Sequence, residues 1–474
     1  MLLPQPNALQ TYDNLFKKIS SIAENMDLEV YLIGGFVRDM FLMRESKDID
    51  IVVVGSGIKF AKEVSQHLQN SKFSFFQNFG TAQVVHNDLV IEFVGARKES
   101  YERNSRKPFV EEGTLQDDQE RRDLTINAIS ISLNKKTYGS IIDPFNGLQD
   151  LENQIIKTPL DSDTTFSDDP LRMMRAIRFA TQLGFKINDK TYEGIFRNKE
   201  RISIISQERI TDELNKIILS PMPSIGFEYL FDTGLLHLIF HEMVALHGVE
   251  TINGKSHKDN FYHTLQVLDN VCKISNDLWL RWAAILHDIA KPTTKKFEQG
   301  NGWTFHGHED KGSRMVKPIF TRLRLPQNEK MRFVEKLVLL HLRPIVLSQN
   351  EVTDSAIRRL MVEAGEDLDA LIMLCNSDIT SKNEKKIEKV KQNFALVQSK
   401  IKDVEEKDNL RNWQPPINGN HILEHFEILK PYEVGLLKNI LREAILDGIV
   451  KDNFEDALSF LKQVAEQKGI KILK

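Results

Sequence analysis

Tyr31-Leu-Ile-Gly-Gly-Phe-Val-Arg-Asp39, followed after a short interval by Asp48-Ile-Asp-Ile-Val-Val-Val54, is the stretch on which the reading of this chain turns. Val30 to Ile33 is an apolar run suited to a buried strand, and Gly34-Gly35 interrupts it. Phe36 to Met43 then shows helical spacing, and Ile49 to Val54 returns to β-branched residues. The order is strand, glycine turn, short helix, strand. Side chains alternate across a strand, so Asp48 and Asp50 face one way while Ile49 and Ile51 face the other. Two carboxylates placed side by side can hold divalent metal, which is the geometry that phosphoryl transfer needs. Taken alone, the pair also describes a surface strand that opens with acidic residues. The glycines upstream make it more specific, because amides without a Cβ can approach phosphate oxygens.

Length and composition bound what surrounds this stretch. The chain has 474 residues, 41% hydrophobic and 27% charged, as expected for a globular protein of roughly three domains. Its net charge is −4, so nucleic acid would have to be bound by local basic patches. Cys272 and Cys375 are the only cysteines and lie far apart, which fits a reducing compartment and no disulfide framework. Met1-Leu-Leu-Pro-Gln-Pro6 lacks a basic segment and an apolar core, and no apolar run approaches about 18 residues. The expected location is cytoplasmic, with no membrane contact.

Outward from the acidic strand, a helix is expected at Ile58 to Gln69, one strand with an aromatic lead-in at Phe73 to Val85, and another at Leu89 to Val94. These elements predict a small α/β head over about residues 1–157. Beyond about residue 160 strand signals almost vanish. Helical spacing recurs at Leu171 to Leu183, Gln207 to Leu219, Phe227 to Leu236, Tyr262 to Ile274, Trp279 to Ile289 and Asn328 to His341. The fold class is therefore α+β: a mixed head followed by an elongated all-α body. Proline-bearing joints at Leu219 to Ser224 and Asn412 to Pro416 help divide that body into a neck at 158–225, a domain at 226–403 and a tail at 404–474.

Three further clusters in the first part carry chemistry. Glu92, inside the strand Leu89-Val-Ile-Glu-Phe-Val94, is either a third carboxylate of the acidic site or an outward-facing strand residue. Arg121-Arg-Asp-Leu-Thr-Ile-Asn127 reads as a helix start or tight turn with Asp123 and Asn127 on one face. Its paired arginines offer fork-shaped donors to phosphate, and Asp123 and Asn127 can pair with sugar hydroxyls. In Ser167-Asp-Asp-Pro-Leu-Arg-Met-Met-Arg-Ala-Ile-Arg178, Ser167 or either Asp suits the N-cap and Pro170 the first helical position. Arg172, Arg175 and Arg178 then form a ridge, and Asp169 with Arg172 supplies the acceptor and donor groups needed to mimic a base edge. Apolar residues interleave the arginines, so buried members of the ridge need anionic partners.

These residues resemble the bacterial class II tRNA nucleotidyltransferase and poly(A) polymerase family, the CCA-adding enzymes, over essentially the whole chain. Gly34-Gly35 with Arg38, Asp39, Asp48 and Asp50 resemble the catalytic motif. Arg121, Arg122, Asp123 and Asn127 resemble the ribose-reading motif, and Asp143-Pro-Phe-Asn-Gly147 resembles the hinge motif. Asp169 and Arg172 resemble the base-reading pair, although Asp168 stands where the family usually has Glu. Gln207 to Ile217 resembles the supporting helix. The resemblance implies a head related to polymerase β, Mg²⁺ held by Asp48 and Asp50, ATP and CTP as substrates, and tRNA as the partner, with no obligate protein partner. It implies nucleotide contacts from Gly34, Gly35, Arg38, Arg121, Arg122, Asp123, Asn127, Asp169, Arg172, Arg175 and Arg178. The interval Arg97 to Glu120, with Arg103, Arg106 and Lys107, matches a loop that assists the change from C to A.

A second constellation follows in the helical part: His263, His287-Asp288, His308, His341 and Asp378. Adjacent His and Asp ending the apolar helix Ala283 to Ala290 are expensive to bury unless they coordinate something. The order resembles the HD phosphohydrolase domain. That resemblance implies a first transition metal (Ni, Mn, Fe or Zn) on His263, His287, Asp288 and Asp378, an extension toward a second through His308 and His341, and Lys291 for phosphate. The tail resembles one that cradles the tRNA elbow, and Arg322, Arg324, Lys330, Arg332, Lys336 and Arg343 are either RNA contacts or solvated helix faces. Template-independent CCA addition is the expected activity. The alternatives are a poly(A) polymerase, a partial enzyme adding only CC or only A, an HD phosphohydrolase with an RNA-binding head, and a non-catalytic RNA-binding scaffold.

Overall fold

The computed structural model describes residues 9, 11–77, 80–100, 109–347, 353–380, 384–408, 413–428 and 430–473. Arg103, Arg106 and Lys107 of the expected loop lie outside these residues. The chain divides into two compact units, 1–245 and 246–474, each taken by itself below.

The first unit is built on a seven-stranded sheet. Its strands are β1 (Glu29–Ile33), β2 (Asp48–Val54), β3 (Ser71–Phe76), β4 (Thr81–His86), β5 (Leu89–Gly95), β6 (Ser130–Ser132) and β7 (Ile141–Ile142), in the spatial order β3-β4-β5-β2-β1-β6-β7. Only β2 and β5 pair in parallel; every other neighbour is antiparallel. Helices α1 (Asp13–Asn25), α2 (Gly34–Phe41) and α3 (Gly57–His67) carry apolar faces. Alternation along β2 buries Ile49, Ile51 and Val53, and Phe60 of α3 packs edge to face on Phe93 of β5 with Phe16 and Phe36 in contact nearby. The opposite face of β2 carries Asp48 and Asp50, and beyond them Val52 packs with Tyr31, Ile33 and Ala96.

Helix α4 (Leu115–Glu120) starts at a capping box made by Thr114 and Asp117. After α5 (Ser162–Asp168) and α6 (Leu171–Leu183) the unit is helical apart from Lys186–Ile187, which pairs in parallel with Ile155–Ile156, and α7 (Gln207–Ile218) packs on α6. Two local expectations need correction, and a third resolves to one of its alternatives. The single strand at Phe73 to Val85 is a hairpin, β3 and β4, with Gly80 at a positive φ of 61° near its turn. Of the two alternatives for Arg121 to Asn127, the tight turn is the one found: the segment follows α4 and ends in a 3₁₀ turn at Thr125–Asn127. Ser167 and Asp168 close α5, Asp169 accepts from the Leu171 amide at 3.1 Å, and Pro170, expected at the first helical position, stands at the N-cap of α6.

The second unit is helical apart from the short hairpins at 251–256 and 296–304. Its principal helices are α8 (Asn260–Cys272), α9 (Leu278–Leu286), α10 (His308–Arg322), α11 (Glu329–Leu340), α12 (Asp354–Ala364) and α13 (Leu368–Asp378). The last helices, α14 (Gly419–His425), α15 (Tyr432–Leu446) and α16 (Phe454–Lys468), enclose a core of their own around Ile422, Leu437, Leu441 and Leu461. Arg359 of α12 ties that bundle down through Glu443 at 2.7 Å and Asp447 at 2.6 Å. Among the described residues no helix is long and apolar enough to cross a membrane.

Candidate active site and metal centre

Register brings the acidic residues of the head together. Asp50 lies opposite Glu92 in the parallel pair of β2 and β5, and Ile33 pairs with Asp50 on the other side. Alternation leaves Asp48 and Glu92 exposed and Asp50 half-buried. Burial pushes the Asp50 carboxyl above its ordinary range, against the pull of the Arg122 guanidinium. Glu92 is raised by burial and then by the Asp50 charge. Crowded carboxylates of this kind are a hard-oxygen donor set, and Mg²⁺ is the chemistry they fit. Gly34 explains how the turn comes so close. Its φ is +77°, and a Cβ there would stand 2.6 Å from Asp50 Oδ2 and 3.0 Å from Arg122 Nη1. The Gly35 amide hydrogen-bonds the Asp50 carboxylate, so it is committed to the acid before any phosphate arrives.

Facing the acids is a wall of guanidinium groups. Asp118 of α4, fully buried, holds both Arg121 and Arg122, the latter at 3.0 and 3.2 Å. Arg172 donates to the carbonyls of Arg121 at 2.7 Å and Thr165 at 3.4 Å. Arg175 holds Asp123 at 2.6 Å, Asp123 accepts from Asn127 at 3.0 Å, and Asn127 accepts from Arg38 at 2.9 Å. Burial alone would raise Asp123, but Arg175 and Asn127 hold it far below the usual carboxylate range. Arg178 pairs with buried Glu213 at 3.1 Å. Three guanidiniums surround one ring: Arg38, Arg175 and Arg178 sit 4.7, 5.5 and 4.1 Å from the centre of Phe179.

A cavity of about 700 Å³ joins the two sides. Of the residues expected from sequence, Asp50, Glu92, Arg121, Arg122, Asp123, Asp169, Arg172 and Arg175 line it. Arg38, Asn127 and Arg178 do not: they are buried behind the wall, Arg38 bonded to Asn127 and Arg178 to Glu213. Gly34 and Gly35 act through Asp50, and exposed Asp48 stands at the head of the same strand face. The sequence reading missed Asp118, Phe179 and Arg209, whose guanidinium lies 3.7 Å from Asp169 on the cavity wall. Asp118 had a signal, three and four residues before the two arginines, and Phe179 stands four residues after Arg175.

The second unit gathers its six expected ligands into one buried cluster. His263 of α8, His287 and Asp288 at the end of α9, His308 opening α10, His341 after α11 and Asp378 ending α13 converge there. Three histidines donate Nδ1–H to a carbonyl three residues back: His287 to Ala284 at 2.8 Å, His308 to Phe305 at 2.8 Å and His341 to Val338 at 2.7 Å. His263 Nδ1 meets Thr380 Oγ1 at 2.9 Å. Every Nε2 is thereby aimed inward. His287 Nε2 is buried and makes no hydrogen bond, although Asp288 Oδ2 is only 3.2 Å away. An orphaned imidazole nitrogen amid carboxylates is what a metal ion would satisfy.

Asp288 stands between the two expected ligand sets. Its Oδ2 lies 3.5 Å from His263 and 3.2 Å from His287, while its Oδ1 lies 3.3 Å from His308 and 3.9 Å from His341. The groups that can close on one ion are His263, His287 and Asp378, and separately Asp288, His308 and His341. Burial would depress His287, but Asp288 and Asp378 lift it to about 10. Burial and the His287 charge push His341 down to about 4. Lys291 lies 2.5 Å from Asp288, and a neighbouring cavity of about 580 Å³ is lined by Lys255, Lys258, Lys291, His263 and Asp378.

A strand-borne acid cluster facing a cationic cavity, with a histidine-aspartate centre on separate helices, defines a nucleotidyltransferase head carried with an HD-type centre. Comparison with known proteins agrees segment by segment. Residues 30–157 match the poly A polymerase head domain, 184–246 the probable RNA- and SrmB-binding site of polymerase A, and 260–378 the HD domain. The chain is 34% identical over 309 residues to the multifunctional CCA protein of Pseudoalteromonas atlantica, covering 64% of this chain and 72% of that protein. It is 33% identical over 276 residues to the A-adding tRNA nucleotidyltransferase of Geobacter sulfurreducens, covering 57% of this chain and 29% of that protein. A solved CCA-adding enzyme in complex with ATP shares the fold at a TM-score of 0.64 and 21% identity, covering 96% of each chain. The Thermotoga maritima CCA-adding enzyme complexed with tRNA does so at 0.60 and 21%, covering 98% of this chain and 97% of that one. The chain belongs to the tRNA nucleotidyltransferase and poly(A) polymerase family, among the relatives described as multifunctional CCA proteins.

Proposed function

We propose that this chain completes the 3′-CCA end of tRNA from CTP and ATP without a nucleic-acid template. The observation that carries the reading is the single cavity in which Asp50 and Glu92 face Arg121, Arg122 and Arg172. Asp48 and Asp50, with Glu92 as a third carboxylate, would hold Mg²⁺, which when bound activates the primer 3′-hydroxyl and neutralises the triphosphate. Arg121 and Arg122, fixed by Asp118, offer paired donors to phosphate oxygens. The 3′-hydroxyl attacks the α-phosphorus, the bond to the bridging oxygen breaks, and pyrophosphate leaves against the cationic wall. Asp123, on the wall between Arg122 and Arg175, is the group for the ribose. Asp169 and Arg172 read the base, one accepting and the other donating, and neither touches the reacting phosphorus.

The expected segments keep their roles in this reading: head 1–157, base-reading neck 158–225, HD domain 226–403 and RNA-binding tail 404–474, working in the cytoplasm. Transcripts ending before CCA, after C and after CC, each offered single and mixed triphosphates, test it. Three additions in the order C, C, A support the proposal. Long A tails would make the chain a poly(A) polymerase, CC alone or A alone a partial enzyme, and no incorporation would leave an RNA-binding scaffold. A second activity is favoured by the lysine-lined cavity beside the histidine centre: hydrolysis of a phosphoester by a transition metal (Ni, Mn, Fe or Zn) held on His263, His287, Asp288, His308, His341 and Asp378.

A further inference from the structure

The second unit carries a cavity of about 560 Å³ at the seam of α11, α12 and α15, and none of its lining residues belongs to the histidine centre. Four cations line it against one acid: Lys336, Arg343, Lys438 and Arg442 against Glu363. Two of the four are neutralised within the fold, Lys336 by Asp367 at 2.5 Å and Arg343 by Glu363 at 2.9 Å. Lys438 and Arg442 have no protein partner among the described residues, and Arg442 Nε is buried without an acceptor. They stand one turn apart on α15, where two like charges destabilise a helix. An unpaired, partly desolvated pair of cations is an arrangement that an anionic ligand would relieve. Beside them, Trp413 packs on the core of the last three helices, is pinned by its Nε1–H to Asp452 at 2.5 Å, and also borders the cavity.

We propose that this cavity seats one nucleotide of an RNA strand, Lys438 and Arg442 taking successive phosphates and Trp413 stacking on the base. The proposal rests on the reading of the chain as a tRNA-acting enzyme and adds a contact site outside both centres. An RNA strand fits better than an isolated anion, because cations a helical turn apart beside an indole match the repeat of phosphate and base along a strand.

The test uses the full chain and a tRNA transcript lacking CCA. Binding is followed over a salt series for wild type, Lys438→Gln/Arg442→Gln, Trp413→Leu and Arg442→Lys. The double variant should reduce the slope of log affinity on log salt by about 1.4, at about 0.7 per phosphate lost. Trp413→Leu should weaken binding about tenfold with the slope unchanged, and Arg442→Lys should retain the slope. Incorporation at saturating RNA should be the same in all four, which also shows that the variants fold. Wild-type binding with identical affinities and slopes in the variants would overturn the site while leaving the proposed function intact; a wild type that binds no RNA would overturn both. Quenching of Trp413 fluorescence by free ATP or CTP but not by RNA, absent in Trp413→Leu, would replace the RNA strand with a free nucleotide.

Discussion

The head site and the histidine centre both gather carboxylates for metal, yet they are assembled in opposite ways. In the head, Asp50 and Glu92 meet through strand register and line an open cavity, with exposed Asp48 on the same face of the strand. In the second unit six ligands arrive from five helix ends, four of them buried and two, His263 and Asp378, bordering a cavity, and each of three imidazoles is oriented by a carbonyl in its own preceding turn. The contrast separates two tasks. An open oxygen donor set suits a cation that is exchanged, whereas a nitrogen-rich set of mostly buried ligands suits one that is retained.

That comparison can be broken, starting with the largest effect. Asp50→Asn should lower nucleotide incorporation by about a thousandfold or more, the several kcal/mol that a metal-bound transition state loses, while the metal content of the histidine centre stays at the wild-type level. A fall in that content would show the sites to be linked. His287→Ala should do the reverse: elemental analysis should find the transition metal gone, with incorporation unchanged. Equal metal in wild type and variant would refute the centre. Gly34→Ala sets a Cβ against Asp50 at 2.6 Å and against a φ of +77°, and should cost about 1–3 kcal/mol in thermal stability and sharply reduce incorporation. An alanine variant with native activity would remove the account of that turn.

Smaller effects sharpen the contrast. Phe179→Leu loosens three guanidiniums at about 0.5–2 kcal/mol each and should raise KM for CTP and ATP about tenfold with a lesser change in kcat, and Phe179→Tyr should restore it. A selective loss of kcat would place the ring in catalysis instead. The metal-free protein should also depend on pH, with two histidines acting in opposite directions. His341, lowered from 6.5 to about 4, contributes stability that is present above pH 6.5 and lost as the pH falls through 4. His287, raised from 6.5 to about 10, contributes stability that is present below pH 6.5 and lost as the pH rises through 10. Melting curves of stripped protein should therefore flatten on the acid side in His341→Gln.

The same contrast explains what was legible in the sequence. Alternation in Asp48 to Val54 and the spacing of the six histidine-centre ligands are local patterns, and both survive in the structure. The mixed head and helical body were legible for the same reason, since periodicity reports which face of an element is buried. Register was not. Whether Glu92 joined Asp50 depended on β5 running parallel to β2, a choice made by the β3 and β4 hairpin that aromatic residues disguised as one strand. Arg38, Asn127 and Arg178 carry the charge and polarity of ligand contacts, and only the fold reveals that they are buried, with Arg38 and Arg178 packed on Phe179 and Arg178 paired with Glu213. The shared position of Asp288 was equally hidden, because spacing cannot say which oxygen faces which imidazole.

The single parallel pair in the sheet also bears on how the chain folds. The hairpin neighbours β3–β4 and β4–β5 can zip from their turns, but β2 and β5 meet only after the segment through α3, β3 and β4 has been laid down between them. The mutual repulsion of Asp50 and Glu92 is therefore deferred until apolar Ile51, Phe93 and Val53 are closing beneath them. Millimolar Mg²⁺ in a refolding buffer would accelerate that docking step and leave earlier steps untouched.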